Sequence, residues 1–315
     1  RAYRQQAEAL KLNDITLVNT LDECDVVHYN TVFSDSYRSL KKAKKRGVPV
    51  VVHAHSTKED YLNSFNFANI TKGWFYKRMY KMYSNADVII TPSEYSKSLI
   101  EGYGWTNCNI HPISNGLIVK EYEKSEEKEQ QFLNYFGLKK GEKVIIGIGL
   151  LFVRKGLPDF IEIARSFPKI TFIWFGHLNK LAQTKVIKKA IKNKPNNVKM
   201  PGYISGDIIK GALTYANALL FPSYEETEGI VVLEAMASKT PVIVRNIPVY
   251  DQFEDGINVL KANNNKEFVE HVEMALNNDL KEIINNAYED ILKKDLKYIG
   301  AQIKKVYEEV IESKK

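Results

Sequence analysis

The stretch FPSYEETEGIVVLEAMASKTPVIV, residues 221–244, decides how the rest of the chain is read. It begins at the apolar end of a strand (Leu219, Leu220, Phe221), passes a Pro-Ser turn and an acidic run, meets one glycine and continues as an apolar helix. A second strand follows a Ser-Lys-Thr turn. Glu226 and Glu234 stand eight residues apart on either side of Gly229. Nearly every neighbour of Glu234 in the helical run is apolar, and a carboxylate is costly to bury there unless it is hydrogen-bonded. Gly229 marks a place where the backbone turns tightly or lets a ligand approach. Ile230 and Val231 then open a helix whose unpaired N–H groups and positive dipole end suit an anion. Together these features make a seat for a phosphorylated, hydroxyl-rich ligand. On spacing alone the plainer reading stays open, because most strand-to-helix turns bind nothing.

Outward from this stretch, apolar and β-branched runs alternate with helical patterns. Strands are expected at 15–19, 25–29, 49–53, 86–91 and 110–113, and again at 143–150, 170–175, 198–200, 218–221 and 241–244. Helices are expected at 37–45, 93–103, 157–167, 208–215 and 266–276. Such alternation predicts an α/β protein with parallel sheets covered by helices on both faces. Continuous apolar strands such as VIIGIGLL and ITFIWF fit sheets buried on both sides. The charged run EYEKSEEKEQQ, within 120–140, reads as a linker between two doubly wound domains. The expected division is 1–120, 121–295 and a C-terminal helix, 296–315, that crosses back to the first domain. Sheets of this kind bind ligands beyond the C-terminal ends of their strands, so two facing one another would form a cleft.

With 315 residues, 44% hydrophobic and 26% charged, the chain has the composition of a globular protein. No run of about twenty apolar residues spans a membrane. The start lacks the apolar core of a signal peptide and opens inside an amphipathic helix without an initiator Met, so an N-terminal truncation is expected. Cys24 and Cys108 have neither metal-ligand nor disulfide spacing.

Three further segments carry chemistry. His53 and His55, two apart at a strand end, point to one face. No third ligand follows at suitable spacing, so no metal is expected; a packed histidine or a hydrogen bond to a sugar or phosphate remain open. Arg154-Lys155-Gly156 lies between a strand and a helix without the spacing of a phosphate-binding P-loop. Its cations suit either a diphosphate or plain solvation. Residues 71–83, TKGWFYKRMYKMY, interleave Trp74 and Phe75 with Lys77, Arg78 and Lys81. Aromatic and basic residues on one helix form an anionic-membrane surface or a core stripe with a solvated back, and the two are compatible. The net charge of +7 brings no recognisable nucleic-acid motif with it.

At these residues the chain resembles the family 4 glycosyltransferases, retaining enzymes of the two-domain GT-B fold. Glu226 and Glu234 meet the E-x7-E signature, and SNG at 114–116, Lys155-Gly156, FGH at 175–177 and PGY at 201–203 match the wider pattern. The resemblance implies that Glu226 hydrogen-bonds the donor hexose, Glu234 holds the ribose, and Lys155 neutralises the diphosphate. It further implies that Gly229, Ile230 and Val231 approach the sugar and phosphate, that His55 lies near the donor sugar, and that Gly176, Tyr203 and Ile204 cradle the base. The chain departs from the family at Leu150, where Arg is frequent and Arg154 is a candidate substitute, and at Lys239, where glycine is common. The family's first strand and glycine-rich loop are absent from it. HAHSTKEDYLNSF, FIWFGH, EETEGIVVLEA and RNIPVY are most similar to Gram-positive enzymes that extend monoglucosyl-diacylglycerol for the lipoteichoic acid anchor.

The resemblance therefore implies an α-retaining hexosyltransferase. It would move glucose or galactose from a UDP-sugar to a glycolipid, with no metal or other cofactor, peripherally on the cytoplasmic face of the membrane. A capsule or exopolysaccharide transferase and a non-catalytic sugar-nucleotide-binding module are the alternatives.

Overall fold

The computed structural model describes residues 2–62 and 64–314. They form two compact units, one of residues 2–62, 67–117 and 294–314, the other of 64–66 and 118–293.

The first unit contains strands β1 (Val27–Tyr29), β2 (Val50–His53), β3 (Val88–Thr91) and β4 (Ile110–Pro112), parallel and in sequential order. Helices α1 (Ala2–Lys11), α2 (Ser34–Lys45), α3 (Lys58–Tyr61), α4 (Ala68–Tyr83) and α5 (Glu94–Gly102) belong to it. Successive side chains of a strand face opposite sides, and β2 shows the consequence. Val50 and Val52 enter a core with Leu40, Met79, Met82 and Tyr83. Val51 enters the opposite one with Leu10, Ile299, Ile303 and Val306. A strand buried on both faces has to be apolar throughout.

The second unit contains β5 (Val144–Ile148), β6 (Thr171–Phe175), β7 (Val198–Gly202), β8 (Ala218–Phe221), β9 (Val242–Arg245) and β10 (Leu260–Ala262). Around this sheet lie α6 (Glu126–Phe136), α7 (Leu157–Arg165), α8 (Lys185–Lys192), α9 (Asp207–Tyr215), α10 (Ile230–Ala237), α11 (Asn265–Asn277) and α12 (Lys281–Leu292). The strands are parallel in the order β10-β9-β8-β5-β6-β7. The order reverses between β5 and β8, and the crevice beyond the C-terminal ends of those two strands is where such sheets take ligands. The chain ends in α13 (Leu296–Glu312), whose Ile299, Ile303, Val306, Tyr307 and Val310 are buried in the first unit.

Three local expectations need correction. Residues 15–19 form no strand; Leu17 and Val18 stay exposed, with no neighbouring strand to pair with. The charged run at 120–140 is mostly α6, a helix rather than a linker. Its Glu126, Glu127 and Glu129 favour the N-terminal dipole end while Phe132 and Leu133 enter the core. Finally, Ser64–Asn66 join the second unit, where the Asn66 side chain donates to the carbonyls of Leu181 and Gln183 at 3.0 and 2.9 Å.

Candidate active site

The loops after β5 and β8 meet at the reversal point. From β5 the chain enters a short 3-10 turn, Val153–Lys155, which carries both cations. From β8 it passes Pro222 and Ser223 into the acidic run. Lys155 Nζ donates to Glu226 Oε1, and Ser223 Oγ donates to the same oxygen at 2.7 Å. Both partners of the ion pair are largely buried, with side chains 15% and 7% exposed. A charge so placed is tolerated only with a partner and a further hydrogen bond, and Glu226 has both. Neither bond uses its Oε2.

Arg154 is placed differently. Its guanidinium donates to Ser64 Oγ and to the Glu225 carbonyl, both at 2.9 Å, so it braces the acidic loop.

Gly229 caps α10 with φ 85°, ψ 61°, a left-handed conformation that glycine adopts without a Cβ penalty. A Cβ there would lie 2.5 Å from the Tyr250 hydroxyl. Tyr250 is fully buried, and its hydroxyl has no hydrogen-bond partner among the described residues. Burial first, then the nearby carboxylates of Glu226, Glu228 and Glu225, holds its pKa well above the ordinary phenol value. Ile230 and Val231 follow as the first turn of α10, half-buried. One turn further, Glu234 is 1% exposed and accepts a 2.8 Å bond from the hydroxyl of Tyr122.

A third loop follows β6. Gly149 N donates to the Phe175 carbonyl at 2.9 Å, and Gly176 N to that of Gly202 at 2.8 Å, lacing the ends of β5, β6 and β7 together. A Cβ at Gly176 would lie 1.8 Å from the Gly149 oxygen, so the approach demands glycine. Beyond Gly202, Tyr203 is 76% exposed and Ile204 half-buried.

The structure thus gathers Lys155, Arg154, Glu226, Gly229, Ile230, Val231 and Glu234 within the second unit, with Gly176, Tyr203 and Ile204 on its neighbouring loops. The first unit holds the others. His55 lies in a column of parallel rings, 4.0 Å from His53, which is 5.4 Å from His28. His55 Nε2 donates to Asn30 Oδ1 at 2.9 Å, whereas neither ring nitrogen of buried His53 has a partner among the described residues. Burial lowers His28 to about 3 and His55 to about 4, and pushes His53 well below the ordinary imidazole value. No three His, Cys, Asp or Glu among the described residues are grouped to hold a metal ion.

Along α4, Trp74 is exposed and Lys77, Arg78 and Lys81 share its open face. Phe75 turns the other way, stacked 4.1 Å from Tyr61 and packed on the core. Met79, Met82 and Tyr83 form the core stripe of this helix, and its cations lie on the open face.

Sequence reading missed Tyr122, Ser223, Ser64 and Tyr250. Tyr122 sits in the supposed linker, and only the position of Ser223 beside the acidic run hinted at a role.

The family described as Glycosyltransferase Family 4 matches residues 7–121, and that described as Glycosyl transferases group 1 matches residues 128–290. The chain belongs to the family 4 glycosyltransferases. It is 46% identical over 317 residues to the processive diacylglycerol alpha-glucosyltransferase of Acholeplasma laidlawii, across 100% of this chain and 94% of that protein. It is 25% identical over 263 residues to the alpha-galactosylglucosyldiacylglycerol synthase of Streptococcus pneumoniae, covering 81% of this chain and 70% of that one. Among solved structures, Anabaena HepE in complex with UDP-glucose superposes with a TM-score of 0.77 at 19% identity, over 90% of this chain and 79% of the other. Sucrose-phosphate synthase from Thermosynechococcus elongatus gives a TM-score of 0.77 at 18% identity, over 92% and 74%. The two parallel-sheet units of this family 4 glycosyltransferase are those of the GT-B fold. Among its described residues no helix is long and apolar enough to cross a membrane.

Proposed function

We propose that the protein is an α-retaining hexosyltransferase that moves a hexose from UDP-glucose or UDP-galactose to a membrane glycolipid of the monoglucosyl-diacylglycerol type. The observation that carries this reading is the 46% identity, over the whole chain, to a diacylglycerol alpha-glucosyltransferase. The site geometry supports it. Glu234, oriented by Tyr122, is suited to accept from the ribose hydroxyls, and Glu226 Oε2 from a hexose hydroxyl.

The chemical difficulty is the negative charge that develops on the departing diphosphate as the anomeric carbon becomes oxocarbenium-like. Lys155 and the N–H groups opening α10 would stabilise that charge, and in our reading no metal is required. A preorganised donor of this kind typically contributes about 3–4 kcal/mol to lowering the barrier. Lys155 is already ordered by Glu226, so little reorganisation accompanies the reaction. The cationic, aromatic face of α4 would bring the protein to the inner membrane surface, where the acceptor resides.

The test is UDP release in the presence of vesicles containing monoglucosyl-diacylglycerol, with UDP-glucose and UDP-galactose offered in turn. Acceptor-dependent release with one donor supports the reading and names the sugar. Release that ignores the lipid acceptor removes the glycolipid assignment.

A further inference from the structure

Tyr250 closes the short 3-10 turn Pro248–Tyr250 that follows β9, and its hydroxyl reaches the start of α10. The side chain is 0% exposed, and its ring lies 6.4 Å from that of buried Phe253. Its hydroxyl has no hydrogen-bond partner among the described residues. A buried hydroxyl left unpaired destabilises the folded state, whereas phenylalanine would fill the same space without that cost. The hydroxyl therefore calls for a partner that the free protein does not give it.

Two observations locate that partner. Gly229 has no side chain, and a Cβ there would lie 2.5 Å from the Tyr250 hydroxyl, so the glycine keeps the space beside it open. Burial first, then the charges of Glu226, Glu228 and Glu225, hold the phenol protonated at neutral pH. A protonated phenol can donate, and an ionised carboxylate can only accept. Of the three carboxylates, Glu226 acts on the hydroxyl most strongly.

Glu226 is also the carboxylate whose surroundings would change. In the free protein its Oε1 accepts from Lys155 Nζ and, at 2.7 Å, from Ser223 Oγ. In the function proposed above, Lys155 turns to the diphosphate of the donor. Glu226 then keeps the bond from Ser223 and loses the charged one, with its side chain only 7% exposed. A buried carboxylate stripped of its counter-charge needs another hydrogen-bond donor. Tyr250 offers one that is neutral and held on a packed ring.

We propose that the Tyr250 hydroxyl takes the place of Lys155 on Glu226 when a diphosphate draws the lysine away. Tyr250 is thereby a positioning residue: it acts through Glu226, the carboxylate assigned to the hexose. This deepens the reading of the site given above and rests on it.

The first test needs neither ligand nor turnover. Thermal melting compares the parent, Tyr250→Phe, Lys155→Ala and the double variant. While Lys155 is present, Tyr250→Phe removes an unpaired hydroxyl, so its melting temperature should equal or exceed that of the parent. Without Lys155 the hydroxyl is already engaged by Glu226, so adding Tyr250→Phe to Lys155→Ala should lower the melting temperature by at least ~3 °C. A change of the same sign and size in both backgrounds overturns the proposal. The second test is calorimetric titration with UDP. Tyr250→Phe should weaken binding at least ~10-fold, but under ~3-fold in a Glu226→Gln background, where no charge remains to be satisfied. An equal loss in the two backgrounds, or none in the first, overturns the proposal. A parent that binds no UDP would sink the nucleotide-site reading, and the melting comparison would still decide the role of Tyr250.

Discussion

Tyr122 and Glu234 are 112 residues apart in sequence, yet the Tyr122 hydroxyl donates a 2.8 Å hydrogen bond to the Glu234 carboxylate inside the second unit. The bond answers the problem posed by a carboxylate in an apolar helix. It also fixes which way that carboxylate faces, so a residue of the short 3-10 turn Val119–Tyr122 orients the group proposed to hold the nucleotide.

Replacing Tyr122 by Phe should raise KM for the sugar nucleotide while kcat changes less than ~2-fold. Loss of one bond to a charged group is worth about 1.5–3 kcal/mol, or roughly 10- to 150-fold in affinity. Calorimetric titration with UDP and steady-state kinetics separate the two constants. A fall in kcat at unchanged KM would show that Tyr122 acts on the chemistry instead.

Lys155→Ala should lower kcat by about 100- to 1,000-fold, the usual cost of one preorganised donor. It should also lower the melting temperature, because Glu226 then keeps a buried charge without its partner, a loss of about 3–5 kcal/mol. Adding Glu226→Gln should restore much of the stability and none of the turnover. Recovery of activity in that double variant would refute the assignment of Lys155.

The stacked histidines predict an acid-labile first unit. Burial lowers His28 to about 3 and His55 to about 4, and lowers His53 too, against about 6.5 for an ordinary imidazole. Below pH 6.5 the unfolded chain therefore binds protons that the folded one refuses, and stability drops as pH falls toward 4. Each such histidine contributes a slope of up to about 1.4 kcal/mol per pH unit. Urea denaturation at pH 7 and pH 5 should show the loss, and His28→Gln should flatten it. An unchanged slope in that variant would place the lability elsewhere.

Gly176→Ala should weaken UDP binding and destabilise the second unit. The added Cβ would meet the Gly149 oxygen at 1.8 Å, and overpacking of this kind typically costs about 1–3 kcal/mol. Thermal melting with and without UDP reads both effects. A variant that melts and binds like the parent would mean that the two loops yield without cost.

Much of the fold was legible because its strands are buried on both faces. VVVH, VIIT, ALLF and VIVR are each buried along their whole length, which leaves a run of apolar residues that nothing else explains. Segment 15–19 had a similar composition but found no neighbouring strand, and β10, three residues long with Lys261 at its centre, was too short to stand out. Helix α6 was hidden by its own surface, since only Phe132 and Leu133 of its eleven residues are buried.

By itself the sequence determined the alternating parallel architecture, the turn at Gly229 and the pair of carboxylates around it, because each depends on residues close together in the chain. Only the tertiary structure decided which charges are paired. Lys155 meets Glu226 across 71 residues, Arg154 meets Ser64 across 90, and Glu234 meets Tyr122 across 112. The physical reason is that a buried charge is stabilised by whatever donor the folded topology brings within about 3 Å, and sequence separation does not limit that approach.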